Sequence, residues 1–167
     1  METRELVHRI EQTFKDGVIS AADEGLFPYV LIQADALKAV ISFCVHDSMM
    51  RFDFLECLSG VDTGEEMLVV YQLFSTAFSH RLNVKVSIGR HGSKLSSVTG
   101  FWRAAAAYEL EAAEMLGITF EGHPAPRHLL LPEDWQGHPL RKDYVFPEEY
   151  HDVEHRRPPL RKEHARP

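Results

Sequence analysis

Proline is distributed very unevenly along this chain of 167 residues. Eight of its nine prolines lie between Gly122 and Pro167, and only Pro28 lies outside that segment. Because proline fixes φ, lacks a donor N–H and ends regular structure, residues 122–167 are not expected to form long helices or strands. The segment nevertheless contains large apolar and aromatic side chains, namely Leu129, Leu130, Leu131, Trp135, Tyr144, Phe146 and Tyr150. A long irregular segment with such anchors is usually bound to a partner, and we call residues 122–167 the C-terminal arm.

The formal charge also separates the C-terminal arm from the rest of the chain. Residues 1–121 contain 10 Lys and Arg against 17 Asp and Glu, which gives −7, whereas the arm contains eight of each. An acidic domain argues against nucleic acid as the main partner. No apolar run reaches the ~18 residues of a membrane span, and the N-terminus lacks a signal-peptide core, so a cytosolic protein is expected. Cys44 and Cys57 are expected to be reduced thiols.

Hydrophobic periodicity predicts an α+β domain over residues 1–121. A helix is expected from Glu2 to Phe14, and Asp35 is expected to cap a second helix that runs through Leu37 to Val45. Short strands are expected at residues 29–32 and 52–61. The clearest sheet signal is a hairpin near residues 67–88, in which Leu82, Val84, Val86 and Ile88 alternate with polar residues. Val69, Val70 and Tyr71 predict that the first strand of this hairpin is buried on both faces. The expected fold is a small, mainly antiparallel sheet packed by helices and followed by the extended C-terminal arm.

A further helix is expected from Ala104 to Leu116, with Gly117 as the glycine that ends it. Its polar side presents Glu109, Glu111 and Glu114. These carboxylates fit a solvated helix face, a contact site for arginines of this chain or of a partner, or a general acid–base set. The acid–base interpretation lacks a nucleophile or a partner base at a recognisable spacing.

Six of the ten histidines lie in the C-terminal arm. His123, His128 and His138 do not form the close pairs that zinc sites usually need, and no helical pattern surrounds His151 and His155. Gly122-His123-Pro124 and Gly137-His138-Pro139 are better explained as tight turns whose imidazoles bond to the backbone. No glycine-rich phosphate loop and no dinucleotide fingerprint is present, so we expect this chain to bind no cofactor.

The stretch from Ser97 to Tyr144 contains a succession of specific motifs. They are Ser97-Val98-Thr99, Trp102, Tyr108-Glu109-Leu110-Glu111, Glu114, Gly117, Phe120-Glu121-Gly122-His123-Pro124, Arg127, Leu131-Pro132-Glu133-Asp134-Trp135 and Pro139-Leu140-Arg141-Lys142-Asp143-Tyr144. This succession resembles the C subunit of proton-pumping NADH–quinone oxidoreductase, respiratory complex I. One departure is Leu110, which replaces the arginine of the family's Glu-Arg-Glu. Glu109 and Glu111 are therefore expected to need another cation, from Arg103, Arg127 or a partner.

The resemblance implies a non-catalytic α+β scaffold subunit in the peripheral arm of the complex, at the cytoplasmic face of the plasma membrane. The implied partners are the D subunit, which shapes the quinone cavity, and the subunits that carry iron–sulfur clusters, with membrane contact only through the complex. The complex is expected to use NADH, FMN, iron–sulfur clusters and quinone, none of them bound by this chain. The expected subunit interface comprises Glu109, Glu111, Glu114, Gly122, His123, Pro124, Arg127, Pro132, Trp135, Gly137, His138, Pro139, Arg141, Lys142, Asp143 and Tyr144.

Three other functions fit parts of the sequence. In the first, this chain is the equivalent scaffold subunit of a dehydrogenase that uses reduced coenzyme F420, or of a membrane-bound hydrogenase. A free-standing enzyme would use Glu109, Glu111 and a histidine, and the purified chain would then show turnover. A metal-storage or metal-sensing module would use the ten histidines, and metal analysis of the purified chain would reveal it.

Overall fold

The computed structural model describes residues 2–25 and 27–154, and these residues form an α+β fold. The described part contains three α-helices: α1 at Thr3–Thr13, α2 at Leu37–His46 and α3 at Ala105–Leu116. It contains nine strands: β1 at Val18–Ala22, β2 at Tyr29–Ile32, β3 at Phe54–Asp62, β4 at Glu66–Phe74, β5 at Arg81–Gly89, β6 at Lys94–Ser96, β7 at Thr119–Glu121, β8 at Glu149–Tyr150 and β9 at Val153–Glu154. The predicted fold class is confirmed.

A five-stranded sheet in the order β1-β2-β5-β4-β3 forms the centre of the domain. The predicted hairpin is confirmed, since β4 and β5 pair antiparallel with Met67 opposite Ile88 and Leu73 opposite Leu82. The pairing of β2 with β5 is parallel, which the sequence analysis did not predict. The whole chain between these two strands, including α2 and the β3–β4 hairpin, therefore forms the crossover connection that a parallel pair needs.

Only one face of the sheet packs against the core at β4. Met67, Val69, Tyr71 and Leu73 are buried, whereas Val70 is half-buried on the other face. The prediction that this strand is buried on both faces was therefore wrong. An antiparallel sheet needs only one covered face, and its side chains then alternate between core and solvent.

The helices complete the core. Leu6 and Ile10 of α1, together with Val40, Ile41 and Cys44 of α2, are fully buried in it. Asp35 does not cap α2 as predicted. It lies inside a 3₁₀ turn at Ala34–Ala36 that runs directly into the helix, and no side chain caps the first turn. A leading 3₁₀ turn of this kind is common at helix N-termini.

Helix α3 leads into the C-terminal arm. Leu116 lies directly over Gly60 of β3, where any β-carbon would collide with the Leu116 Cδ1. Gly117 ends the helix with φ at 76°, and its N–H bonds to the carbonyl of Ala113, so the predicted terminating glycine is confirmed. Strand β7 then pairs in parallel with β6 and fixes the start of the arm. Within the described ranges, no helix is both long and apolar enough to cross a bilayer.

Candidate subunit interface in the C-terminal arm

Glu114 of α3 holds the first loop of the C-terminal arm. Its carboxylate accepts the backbone N–H groups of Leu129, Leu130 and Leu131 at 3.3, 2.9 and 2.7 Å, and His128 Nδ1 at 2.8 Å. The side chain is almost fully buried. Burial opposes ionisation, but the bonds from Leu130, Leu131 and His128 outweigh it and lower the pKa of Glu114. A single helix carboxylate thus satisfies three consecutive donors of an irregular segment.

Glu109 lies one and a half turns earlier, on another side of α3, and it also accepts a backbone N–H from outside the helix. It is fully buried, and its Oε1 accepts the Val98 N–H at 2.7 Å. Burial is the main influence and raises the pKa of Glu109, although the Val98 bond partly offsets it. The interpretation of a solvated helix face is therefore wrong for Glu109 and Glu114 and holds only for Glu111, which is exposed. The additional cation that Leu110 led us to expect for Glu109 and Glu111 stays a prediction.

The two Gly-His-Pro units form tight turns, as predicted, and both histidines bond to the backbone of α3. His123 Nε2 lies 3.0 Å from the carbonyl of Ala106, while its Nδ1 accepts the Ala125 N–H. His138 Nδ1 donates to the carbonyl of Glu114 at 2.9 Å. Gly122 and Gly137 both have positive φ, at 88° and 80°, a region that favours glycine. The turns therefore tie two further points of the C-terminal arm to the helix.

A second buried carboxylate fixes the middle of the C-terminal arm. Asp62, at the end of β3, accepts Arg90 in a two-pronged bond at 2.9 and 2.8 Å and the backbone N–H of Lys142 at 2.8 Å. The Arg90 guanidinium, followed by the Lys142 N–H, holds the pKa of Asp62 far below its ordinary value. Arg90 also pairs with Asp143 at 3.0 Å, and Arg141 donates to the Arg90 carbonyl at 2.6 Å. Sequence reasoning missed Asp62 and Arg90, for which the only signals were a turn at residues 62–64 and a polar loop.

The outer side of the C-terminal arm is apolar. Six large apolar side chains are exposed along it: Leu129 at 40%, Leu130 at 60%, Leu140 at 63%, Val145 at 84%, Phe146 at 46% and Val153 at 59%. The backbone N–H groups of Leu129, Leu130 and Leu140 are bonded to α3. Exposed apolar side chains on one segment are candidates for contact with a partner.

Thirteen of the sixteen predicted interface residues lie in three places. Glu109, Glu114, Gly122, His123, Pro124, Gly137, His138 and Pro139 are at or near α3, and Arg141, Lys142 and Asp143 are at the Asp62–Arg90 cluster. Trp135 and Tyr144 lie in the distal part of the arm, while Glu111, Arg127 and Pro132 are exposed. Contact of these sixteen residues with another subunit stays a prediction. Residues 155–167, including His155 and the end of the arm, lie outside the described residues.

The described residues contain no group of three or more His, Cys, Asp or Glu side chains that could hold a metal ion. The arm histidines at 123, 128 and 138 instead bond to backbone groups or to Glu114.

Comparison with known proteins gives consistent results. The family model described as respiratory-chain NADH dehydrogenase, 30 kDa subunit, matches residues 30–150. The C subunit of the NADH-quinone oxidoreductase of Chloroherpeton thalassium is 41% identical over 156 residues, which cover 91% of this chain and 65% of that protein. The corresponding protein of Chlorobium phaeobacteroides is 36% identical over 148 residues, which cover 86% of this chain and 89% of that protein. The chain thus spans slightly less than two thirds of the Chloroherpeton protein.

A solved structure supports the fold. The trypsin-resistant fragment of Nqo5 superposes with a TM-score of 0.63 at 27% identity, and the match covers 75% of this chain and 99% of the fragment.

Proposed function

The chain belongs to the family of the 30 kDa subunit of respiratory-chain NADH dehydrogenase, and we propose that it is a non-catalytic scaffold subunit of a proton-translocating NADH–quinone oxidoreductase. In this proposal residues 1–121 form the folded domain, and the C-terminal arm docks onto neighbouring subunits in the peripheral arm of the complex. The names of the relatives support NADH and quinone as substrates of the whole complex. NADH, FMN, iron–sulfur clusters and quinone would be bound by other subunits, at the cytoplasmic face of the membrane.

One observation carries this proposal: the C-terminal arm is fixed on its inner side and apolar on its outer side. Glu114 and Asp62 bind its backbone from the domain, while Leu130, Leu140 and Val145 remain mostly exposed. A segment whose role was only to cover its own domain would turn its apolar side chains inward. The arrangement is that of a surface prepared for a partner.

Fixing the backbone beforehand favours binding. A flexible segment loses roughly 1–2 kcal/mol of backbone entropy per residue when it becomes ordered. Here part of that loss has already occurred on folding, because the arm is bound to α3, to β3 and to Arg90, which follows β5. Each large apolar side chain that becomes fully buried then contributes on the order of 1.5–3 kcal/mol. Rigid placement of neighbouring subunits is the property that a scaffold between electron carriers requires.

The D subunit and the iron–sulfur subunits are the proposed partners. A tagged copy of the full chain, co-expressed with the D subunit, is expected to recover it on purification. Leu130→Asp and Val145→Asp should each reduce that recovery strongly, because a carboxylate would be buried in the interface without a partner. Ile19→Asp is the matched control, since Ile19 is 53% exposed on β1, outside the C-terminal arm.

All three variants change exposed residues and are expected to fold, which circular dichroism would check. Equal recovery of the D subunit by all of them would contradict docking through the C-terminal arm. Purified chain that oxidised NADH or another donor by itself would contradict the scaffold role and favour the free-standing enzyme.

A further inference from the structure

A groove of about 590 Å³ lies in the distal part of the C-terminal arm. Its lining includes Asp134, Trp135, Gln136, Tyr144, Glu149 and Tyr150, and we call it the distal groove. We propose that the distal groove binds an arginine side chain from a basic segment of a neighbouring subunit. This inference rests on the proposed function, in which the C-terminal arm docks onto other subunits, and it specifies the chemistry of one contact.

Aromatic rings supply the walls of the distal groove. The rings of Trp135 and Tyr150 lie 5.3 Å apart between centroids at an angle of 58°, and Tyr144 lines the same space. Aromatic faces attract cations, and the planar guanidinium of arginine stacks on them better than the ammonium group of lysine does. The walls therefore fit a flat cationic group.

Hydrogen bonds hold these walls in position before any partner binds. Asp134 accepts the Tyr150 hydroxyl at 2.9 Å and His151 Nε2 at 2.7 Å. His151 and Asp152 form the two-residue turn between β8 and β9 with positive φ values of 51° and 61°, which is the favoured geometry for such a hairpin. Asp134 thus binds the last residue before this turn and the first residue in it. The distal groove is a preformed site rather than a gap between loose side chains.

The local charge favours a cation. Residues 143–154 include five acidic side chains and no Lys or Arg. The nearest cations along the chain point away from the groove, since Arg141 donates to the Arg90 carbonyl and Lys142 Nζ donates to the Thr63 carbonyl. The charged groups that line the groove are Asp134, Glu149 and His151, and His151 is bound to Asp134. An arginine would therefore meet a surface of opposite charge.

The indole of Trp135 provides a probe of the distal groove. Trp135 lines the groove, and its N–H has no acceptor among the described residues. A cation that stacks on the ring changes the environment of this N–H, so its signal reports binding.

The test uses the full chain labelled with ¹⁵N, in which Trp135 and Trp102 are the two indole probes. It is titrated with the peptide acetyl-Gly-Arg-Gly-amide and separately with its citrulline counterpart, which has nearly the same shape without the charge. The Trp135 indole signal should shift with saturation for the arginine peptide and should shift much less for the citrulline peptide. The Trp102 signal should not move, because Trp102 is buried in the core. Glu149→Gln should weaken binding of the arginine peptide several-fold.

Equal shifts for the two peptides, or no shift of the Trp135 signal, would overturn the inference. A chain that ends at residue 154 provides a second check. Residues 155–167 contain four arginines, and much tighter binding by the shortened chain would show that they occupy the groove instead of a partner.

The failure of this inference differs from the failure of the proposed function. If Glu149→Gln and Trp135→Ala recover the D subunit as well as the unchanged chain does, the distal groove is not part of docking while the scaffold role stands. If the arginine peptide binds but no subunit is recovered by the unchanged chain, the groove stands and the scaffold proposal fails.

Discussion

Replacing Glu114 by glutamine should release the first loop of the C-terminal arm without disturbing the domain. The carboxylate accepts four donors, two at each oxygen. Glutamine retains one acceptor oxygen and places an NH₂ group where the other oxygen was. If that oxygen still accepts the hydrogen bonds from His128 and Leu131, the amide NH₂ faces the N–H groups of Leu129 and Leu130. These two N–H groups then have no acceptor.

The expected size follows from those lost bonds. A hydrogen bond to a charged group contributes about 1.5–3 kcal/mol, against about 0.5–1.5 kcal/mol for a neutral one. Two such bonds are lost and two are weakened, but Leu129 and Leu130 are partly exposed and can turn to water. We therefore expect a net loss of about 2–3 kcal/mol in the local stability of residues 128–131. This corresponds to a roughly 30- to 150-fold increase in the opening equilibrium of that loop.

Native-state hydrogen exchange of the Leu130 and Leu131 amides measures this opening directly. Glu111→Gln is the matched control, because Glu111 lies on the same helix and is exposed. The control should leave both exchange rates unchanged. If Glu114→Gln also left them within about twofold of the unchanged chain, the carboxylate would not be what holds the loop, and the reasoning would be refuted.

Three further predictions concern other contacts of the C-terminal arm. Glu109→Gln keeps the oxygen that accepts the Val98 N–H but removes a carboxyl whose pKa is raised by burial. The stability that this carboxyl contributes is lost as the pH rises above the ordinary glutamate range and through the raised folded pKa, so urea unfolding over a range of pH should show the glutamine variant gaining on the unchanged chain as the pH rises. A constant difference across that range would argue against the buried carboxyl. Deletion of residues 122–167 should leave a folded domain that no longer recovers the D subunit. The midpoint of urea unfolding should fall, because Glu114 and Asp62 lose their backbone partners. Undiminished recovery of the D subunit would contradict the docking role. Arg141→Ala and Asp143→Ala should impair recovery of the D subunit more than Lys94→Ala or His91→Ala, because the first two position the arm at Arg90, and equal effects in the same pull-down would refute that ranking.

Short sequence patterns were sufficient to predict the elements whose contacts lie close together in the chain. The hairpin of β4 and β5 follows from alternation along each strand, and the end of α3 follows from Gly117. The parallel pairing of β2 with β5 joins segments that are far apart in the chain, and no short-range pattern encodes it. Strand β1 is short and contains small residues, which give little periodic signal.

The turns of the C-terminal arm were predictable by position, but the bonds that attach the arm to the domain were not. The motifs located the C-terminal arm and its turns, whereas Glu109 and Glu114 resemble any exposed helix carboxylates in the sequence. Their burial depends on donors supplied by Val98 and by residues 129–131, which are backbone groups and leave no trace in side-chain composition. Backbone donors of irregular segments have to be satisfied somewhere, and only the folded structure shows where.

The bond between Asp62 and the Lys142 N–H joins residues that are 80 positions apart. During synthesis, β3, β4 and β5 leave the ribosome before residue 142 does, so Asp62 and Arg90 are available before the segment that they bind. The leucines and valines of the C-terminal arm are placed when the arm binds to these residues. The exposed apolar side chains of the C-terminal arm are therefore among the last of the described residues to be fixed in place.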